Sequence, residues 1–150
     1  VTYTDTPPAC SGRQAQRPQR WTRTFPGTKR HIAEARRFVT TCLADHPEAD
    51  TAELPFSELA TNAIRHTNSG QAGGRFQVTL HRTTRLLLLT VLDEGGPTTP
   101  RLTTADDLDL IGRGLHLISQ LANGWGTHAT QSSRTVWALL HLTTPHQPAQ

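Results

Sequence analysis

In the stretch SELATNAIRH, residues 57–66, a carboxylate, a carboxamide and an imidazole recur every four residues as Glu58, Asn62 and His66. At about 100° per residue they share one helical sector with Thr61 and Arg65, while Phe56, Leu59, Ala60, Ala63 and Ile64 take the other side. A polar face of this kind is most often simply solvated. It also suits a reaction: the carboxylate can activate a hydroxyl or a water, and one turn later the amide oxygen can bind Mg²⁺. That hard cation takes oxygen ligands and keeps several waters, so one amide plus phosphate oxygens is a sufficient set.

Two further stretches have chemistry in them. In VLDEGG, residues 91–96, Asp93 ends an apolar run and is followed by Gly95 and Gly96. A carboxylate at a strand end can accept a hydrogen bond from an exocyclic amine such as that of adenine, and glycines let a backbone come close to a ligand. The same letters also make an ordinary turn. In IGRGLHLI, residues 111–118, Gly112 and Gly114 flank Arg113 and lead into an amphipathic pattern. A helix N-terminus offers unpaired N–H groups and partial positive charge to a phosphate, and Arg113 would add a charged donor; a flexible helix start reads the same way. Neither a GxxxxGK[ST] loop nor a third glycine for a dinucleotide fingerprint is present.

The elements that must position these residues follow from periodicity. Residues 1–19 are rich in Pro, Gln, Thr and Arg and read as a tail. RWTRTF, 20–25, is a short strand, and Thr28 is a suitable N-cap for a helix reaching about Asp45, with Ile32, Ala35, Phe38, Val39, Cys42 and Leu43 on one face. A second helix is expected from about Ala52 to Thr67, with Pro55 confined to its first turn. After the loop at 68–74, RFQVTLHR alternates as a half-buried strand, and LLLLTVLD is apolar enough to be a central strand covered on both faces. Residues 94–114 form an irregular segment of a length that is usually functional or disordered. A helix over LHLISQLANG, a strand over WGTHAT, a turn at Gln131–Ser133 and a strand over RTVWALLHLT complete the domain, here 20–143, and 144–150 is again tail. The order β-α-α-β-β-loop-α-β-β predicts an α/β two-layer sandwich, a mixed and mainly antiparallel sheet covered by helices on one face.

Bulk properties narrow the function classes. The 150 residues suit one domain with a real core. The net charge of +3 comes almost entirely from arginines scattered among acidic residues, Lys29 being the single lysine. No nucleic-acid-binding motif accompanies them, so direct nucleic-acid binding is not expected. The two cysteines, Cys10 and Cys42, lack metal spacing. No apolar run reaches membrane-spanning length and the first residues lack a signal-peptide core, which predicts a cytoplasmic protein.

Together SELATNAIRHT, VLDEGG, GRGLHLISQLANGWG and RTVWALL resemble, in order and separation, the conserved boxes of the GHKL (Bergerat) ATPase superfamily, which includes DNA gyrase and the histidine kinases. More narrowly they resemble the anti-sigma factor serine/threonine kinases, and the stand-alone ATP-binding regulators abundant in actinomycetes. The resemblance covers about residues 20–142. It implies ATP and Mg²⁺ as cofactors, Glu58 as general base toward an acceptor serine, and Asn62 as the Mg²⁺ ligand. It also implies Asp93 as the partner of the adenine amine, with Gly95 giving backbone room. Gly112, Arg113, Gly114 and Leu115 would shape the phosphate side, Arg65 and His66 would line the nucleotide, and Thr135 would support adenine. The implied partners are a sigma factor and a STAS-type anti-anti-sigma protein, with a homodimer as the expected assembly. The alternative is a nucleotide-dependent binding module without useful transfer. Two departures bear on that choice: DEGGP stands where the superfamily has DxGxG, and the lid, 97–111, is short, with Arg101 its only basic residue.

Overall fold

The structure, a computed structural model, describes residues 17–46, 49–96 and 122–142. Strand β1 (Gln19–Pro26) leads into helix α1 (Lys29–Cys42), and helix α2 (Ala49–His66) follows. A 3-10 turn (Asn68–Gly70), strands β2 (Arg75–Arg82) and β3 (Leu86–Asp93), and strands β4 (Gly124–Ala129) and β5 (Arg134–His141) complete the described elements. They form one sheet in the order β1-β2-β3-β5-β4. Every pairing among the described strands is antiparallel. α2 lies against β2, β3 and β5, and α1 packs on α2 and β1, so both helices cover the same face. This is the two-layer α/β sandwich expected from the element order.

Alternation decides which side chains enter the core. In β2 the buried positions are Phe76, Val78 and Leu80, in β3 Leu87, Leu89 and Val91, and in β5 Val136, Ala138 and Leu140. Register places them in cross-strand rows, Leu80 beside Leu89 and Leu89 beside Ala138. From the helices, Ile32, Ala35, Val39, Phe56, Leu59, Ala60 and Ala63 pack onto these rows. Fully burying each large aliphatic or aromatic side chain stabilises the fold by about 1.5–3 kcal/mol. Phe25 anchors one corner, stacked on Phe76 at 5.6 Å and edge-on to Phe38 at 5.8 Å.

Three sequence expectations change. Helix α2 begins at Ala49, so Pro55 stands well inside it rather than in its first turn. Proline has no N–H, which leaves the Thr51 carbonyl without its usual helical donor. The helix continues because Ala52, Pro55, Phe56 and Leu59 are all buried against the rest of the core. Strand β3 is central, yet only its helix-facing side is buried: Leu86 and Leu88 are half-buried and Leu92 is 36% exposed. Helix α1 closes at Cys42, with Thr28 as its N-cap accepting from the His31 N–H. The helix expected after residue 114 lies outside the described residues, apart from its last positions.

Candidate functional site

The end of α2 and the end of β3 are joined by a small hydrogen-bonded knot. Thr67 closes the helix: its hydroxyl donates to the Ala63 carbonyl at 2.5 Å and accepts from the Ser69 N–H at 3.1 Å. Ser69 is fully buried. Its hydroxyl donates to the Arg75 carbonyl at 2.6 Å and accepts from the Glu94 N–H at 2.9 Å. The Asn68 N–H donates to the Gly95 carbonyl at 2.6 Å. The segment after Asp93 is therefore tethered twice to the turn that ends the helix carrying Glu58, Asn62 and His66. Gly27 is required here, because a Cβ at that position would overlap the Ser69 carbonyl.

Asp93 is the last residue of β3 and points to the helix-covered side, 2% exposed. One carboxylate oxygen accepts from the Gly95 N–H at 2.8 Å, and the other accepts from Arg134 Nε at 2.8 Å. Gly95 has φ +67°, and a side chain there would also crowd the backbone of Ser132 and Ser133. Burial raises the Asp93 carboxyl above its ordinary value, outweighing the Arg134 guanidinium and the Gly95 N–H that favour the charged form. His66 is shifted down by burial first, then by the Arg134 and Arg65 charges.

On α2, Glu58, Asn62 and His66 are each half-buried, flanking the buried Leu59, Ala60 and Ala63, and Arg65 is exposed. Spaced by four, the three span about 80° of helix surface, and the lower end of that stripe meets the β3 loop: a Cβ on Gly96 would lie 3.2 Å from the His66 carbonyl. The fold thus brings His66, Asp93 and Gly95 together and sets Asn62 and Glu58 one and two turns further up the same helix. Thr135 is not part of this group. It pairs with Leu92 and His128, and the strict alternation of β5 turns it to the face opposite Asp93. Arg134 is the residue beside Asp93, and the sequence reading missed it. Local alternation left the phase open, because Trp137 and Leu139 on one face are as apolar as Val136, Ala138 and Leu140 on the other. Gly112, Arg113, Gly114 and Leu115 lie outside the described residues, as does the 97–111 lid.

The donor set fits an adenine nucleotide with its metal. Gly95 lets the chain turn at the strand end, and the buried carboxylate beside it is of a type that can accept from an amine. No cluster of three His, Cys, Asp or Glu that could hold a metal by itself occurs among the described residues. Asn62 offers a single amide oxygen, which suits Mg²⁺ held mainly by phosphate and water. No helix among the described residues is long and apolar enough to cross a membrane.

The sequence matches the histidine kinase-like ATPase domain family over residues 25–139. The match spans most of the chain, and the chain belongs to that family. No curated protein matches it.

Proposed function

Taking membership of the histidine kinase-like ATPase family as the premise, we propose that the chain is an ATP-binding anti-sigma factor and protein serine/threonine kinase. In this reading it acts in the cytoplasm as a homodimer that switches between a sigma factor and a STAS-type anti-anti-sigma protein. The observation that carries the reading is the placement of Asp93. A carboxylate buried at a strand end, fixed by the Gly95 N–H, adjoins the end of the helix that presents Glu58 and Asn62.

Asp93 would accept the adenine amine, and Asn62 would offer its amide oxygen to Mg²⁺, which would supply charge neutralisation for the phosphates. Glu58 takes the proton from the acceptor serine as that oxygen bonds to the γ-phosphorus, and the bond from phosphorus to the bridging oxygen breaks to release ADP. One base, one metal ligand and a few donors are enough, because phosphoryl transfer depends on positioning and charge neutralisation.

The test is calorimetry with ATP and Mg²⁺, followed by transfer from labelled ATP to a STAS-type acceptor. Asp93→Asn should weaken ATP binding by at least about tenfold, and wild-type affinity in that variant would overturn the assignment of the pocket. Glu58→Ala should keep ATP binding and lose transfer by about 100-fold or more; unchanged transfer would remove Glu58 as the base. A second reading, a regulator that binds nucleotide and partner without transfer, is favoured by the DEGGP sequence and the short lid. It predicts ATP-dependent capture of a partner that never becomes phosphorylated.

A further inference from the structure

Two arginines are buried among the described residues, and they differ in one respect. Arg82 uses its whole guanidinium: Nη1 and Nη2 donate to the two Asp45 carboxylate oxygens at 2.7 and 3.0 Å, and Nε donates to Gln19 Oε1 at 3.1 Å. Arg134 does not. Its side chain is 3% exposed and that of Asp93 0%, and Nε alone reaches the carboxylate. Nη1 and Nη2 are buried with no hydrogen-bond partner. The usual two-pronged arginine–carboxylate fork is not made, and the other Asp93 oxygen accepts from the Gly95 N–H instead. Burying donors of a charged group unpaired is costly, so the pair calls for a ligand that brings an acceptor.

The chemistry of that ligand is constrained by what lies beside the free nitrogens. Asp93 only accepts and Arg134 only donates, and one ion pair ties them together. A phosphate or carboxylate would satisfy Arg134 but would meet the Asp93 carboxylate with like charge. A group that carries a donor next to an acceptor satisfies both. The exocyclic amine of adenine, flanked on either side by a ring nitrogen, is such a group.

We propose that Arg134 is a base-reading residue of the nucleotide site, donating from its free Nη atoms to the purine ring nitrogen beside the amine that Asp93 accepts. This rests on the reading of Asp93 as the adenine site and adds a specificity-determining residue to it. Charge-assisted bonds of this kind discriminate strongly when the acceptor is deleted, because the donor is then left buried and unpaired.

The experiment compares ATP with 1-deaza-ATP and 7-deaza-ATP by calorimetry on the wild-type chain, on Arg134→Met and on Arg134→Lys. One of the two deaza analogues should bind the wild type at least about tenfold more weakly than ATP. In Arg134→Met that penalty should shrink to within about threefold, whereas a purely structural role would weaken all three nucleotides together and leave the ratio unchanged. Arg134→Lys keeps a positive charge against Asp93 and guards against a variant that fails to fold. It lacks the guanidinium fork, so its penalty should fall as well. Equal affinity of the wild type for all three nucleotides, an unchanged ratio in the variants, or tighter ATP binding by Arg134→Met would overturn the role of Arg134 alone. Absence of ATP binding by the wild type would overturn the Asp93 reading with it.

Discussion

Replacing Ser69 by alanine removes one oxygen atom and two hydrogen bonds from the knot between α2 and β3. The side chain is fully buried, its hydroxyl donates to the Arg75 carbonyl at 2.6 Å, and it accepts from the Glu94 N–H at 2.9 Å. Alanine keeps the Cβ, so packing hardly changes and the loss is that of the two bonds. At roughly 1 kcal/mol net for each bond, the substitution should destabilise the domain by about 2 kcal/mol. For a chain of this length that lowers the melting temperature by about 4–8 °C. Urea unfolding followed by tryptophan fluorescence measures it directly. The control is Thr22→Ala, which loses one bond, to Thr79 at 3.2 Å, on the uncovered face of the sheet, far from Asp93. Ser69→Ala should also weaken ATP binding, because the Glu94–Gly96 segment keeps one tether instead of two, and Thr22→Ala should not. A loss below about 0.5 kcal/mol together with unchanged ATP affinity would refute the view that this knot holds the site together.

Two further outcomes follow from titratable groups. His66 has its ionisation held below the ordinary value of 6.5 by burial and by Arg134 and Arg65. The unfolded chain then binds the proton first as pH falls, so stability present above about pH 6.5 is lost on acidification. His66→Gln should flatten the fall in urea midpoint between about pH 7 and pH 5.5, and an unchanged slope would exclude His66 as its source. Burial pushes the Cys42 thiol up to about 11, against a smaller opposing effect of Arg82. In a Cys10→Ser background, iodoacetamide at about pH 8 should alkylate Cys42 at least about 100-fold more slowly than the urea-unfolded chain, and comparable rates would contradict its burial.

Much of the fold follows from local pattern. The alternation of RFQVTLHR and the two-faced spacing of SELATNAIRH give strand and helix directly, and Thr28 marks the start of α1 where the structure has it. Pro55 shows the limit of local rules, since its helix-breaking tendency is outweighed by burial that only the assembled core supplies. The expected double burial of β3 fails for a related reason: apolar content says that a strand is buried somewhere, while covering elements decide on which side.

The site divides along the same line. Glu58, Asn62, His66 and Asp93 were legible as chemistry, because each is a reactive type at a helical interval or a strand end. Thr135 and Arg134 were not distinguishable until β5 was paired. They are adjacent in sequence, and only the register Asp93 to Arg134, across 41 residues, shows which of them faces inward. A shift of one position exchanges the two faces of a strand, and no short stretch contains that information. The sequence by itself determined the elements and the reactive groups, since periodicity and side-chain chemistry are local. Tertiary structure decided that Arg134 stands beside Asp93 with two donors unpaired, because cross-strand register and burial arise only when distant segments pack.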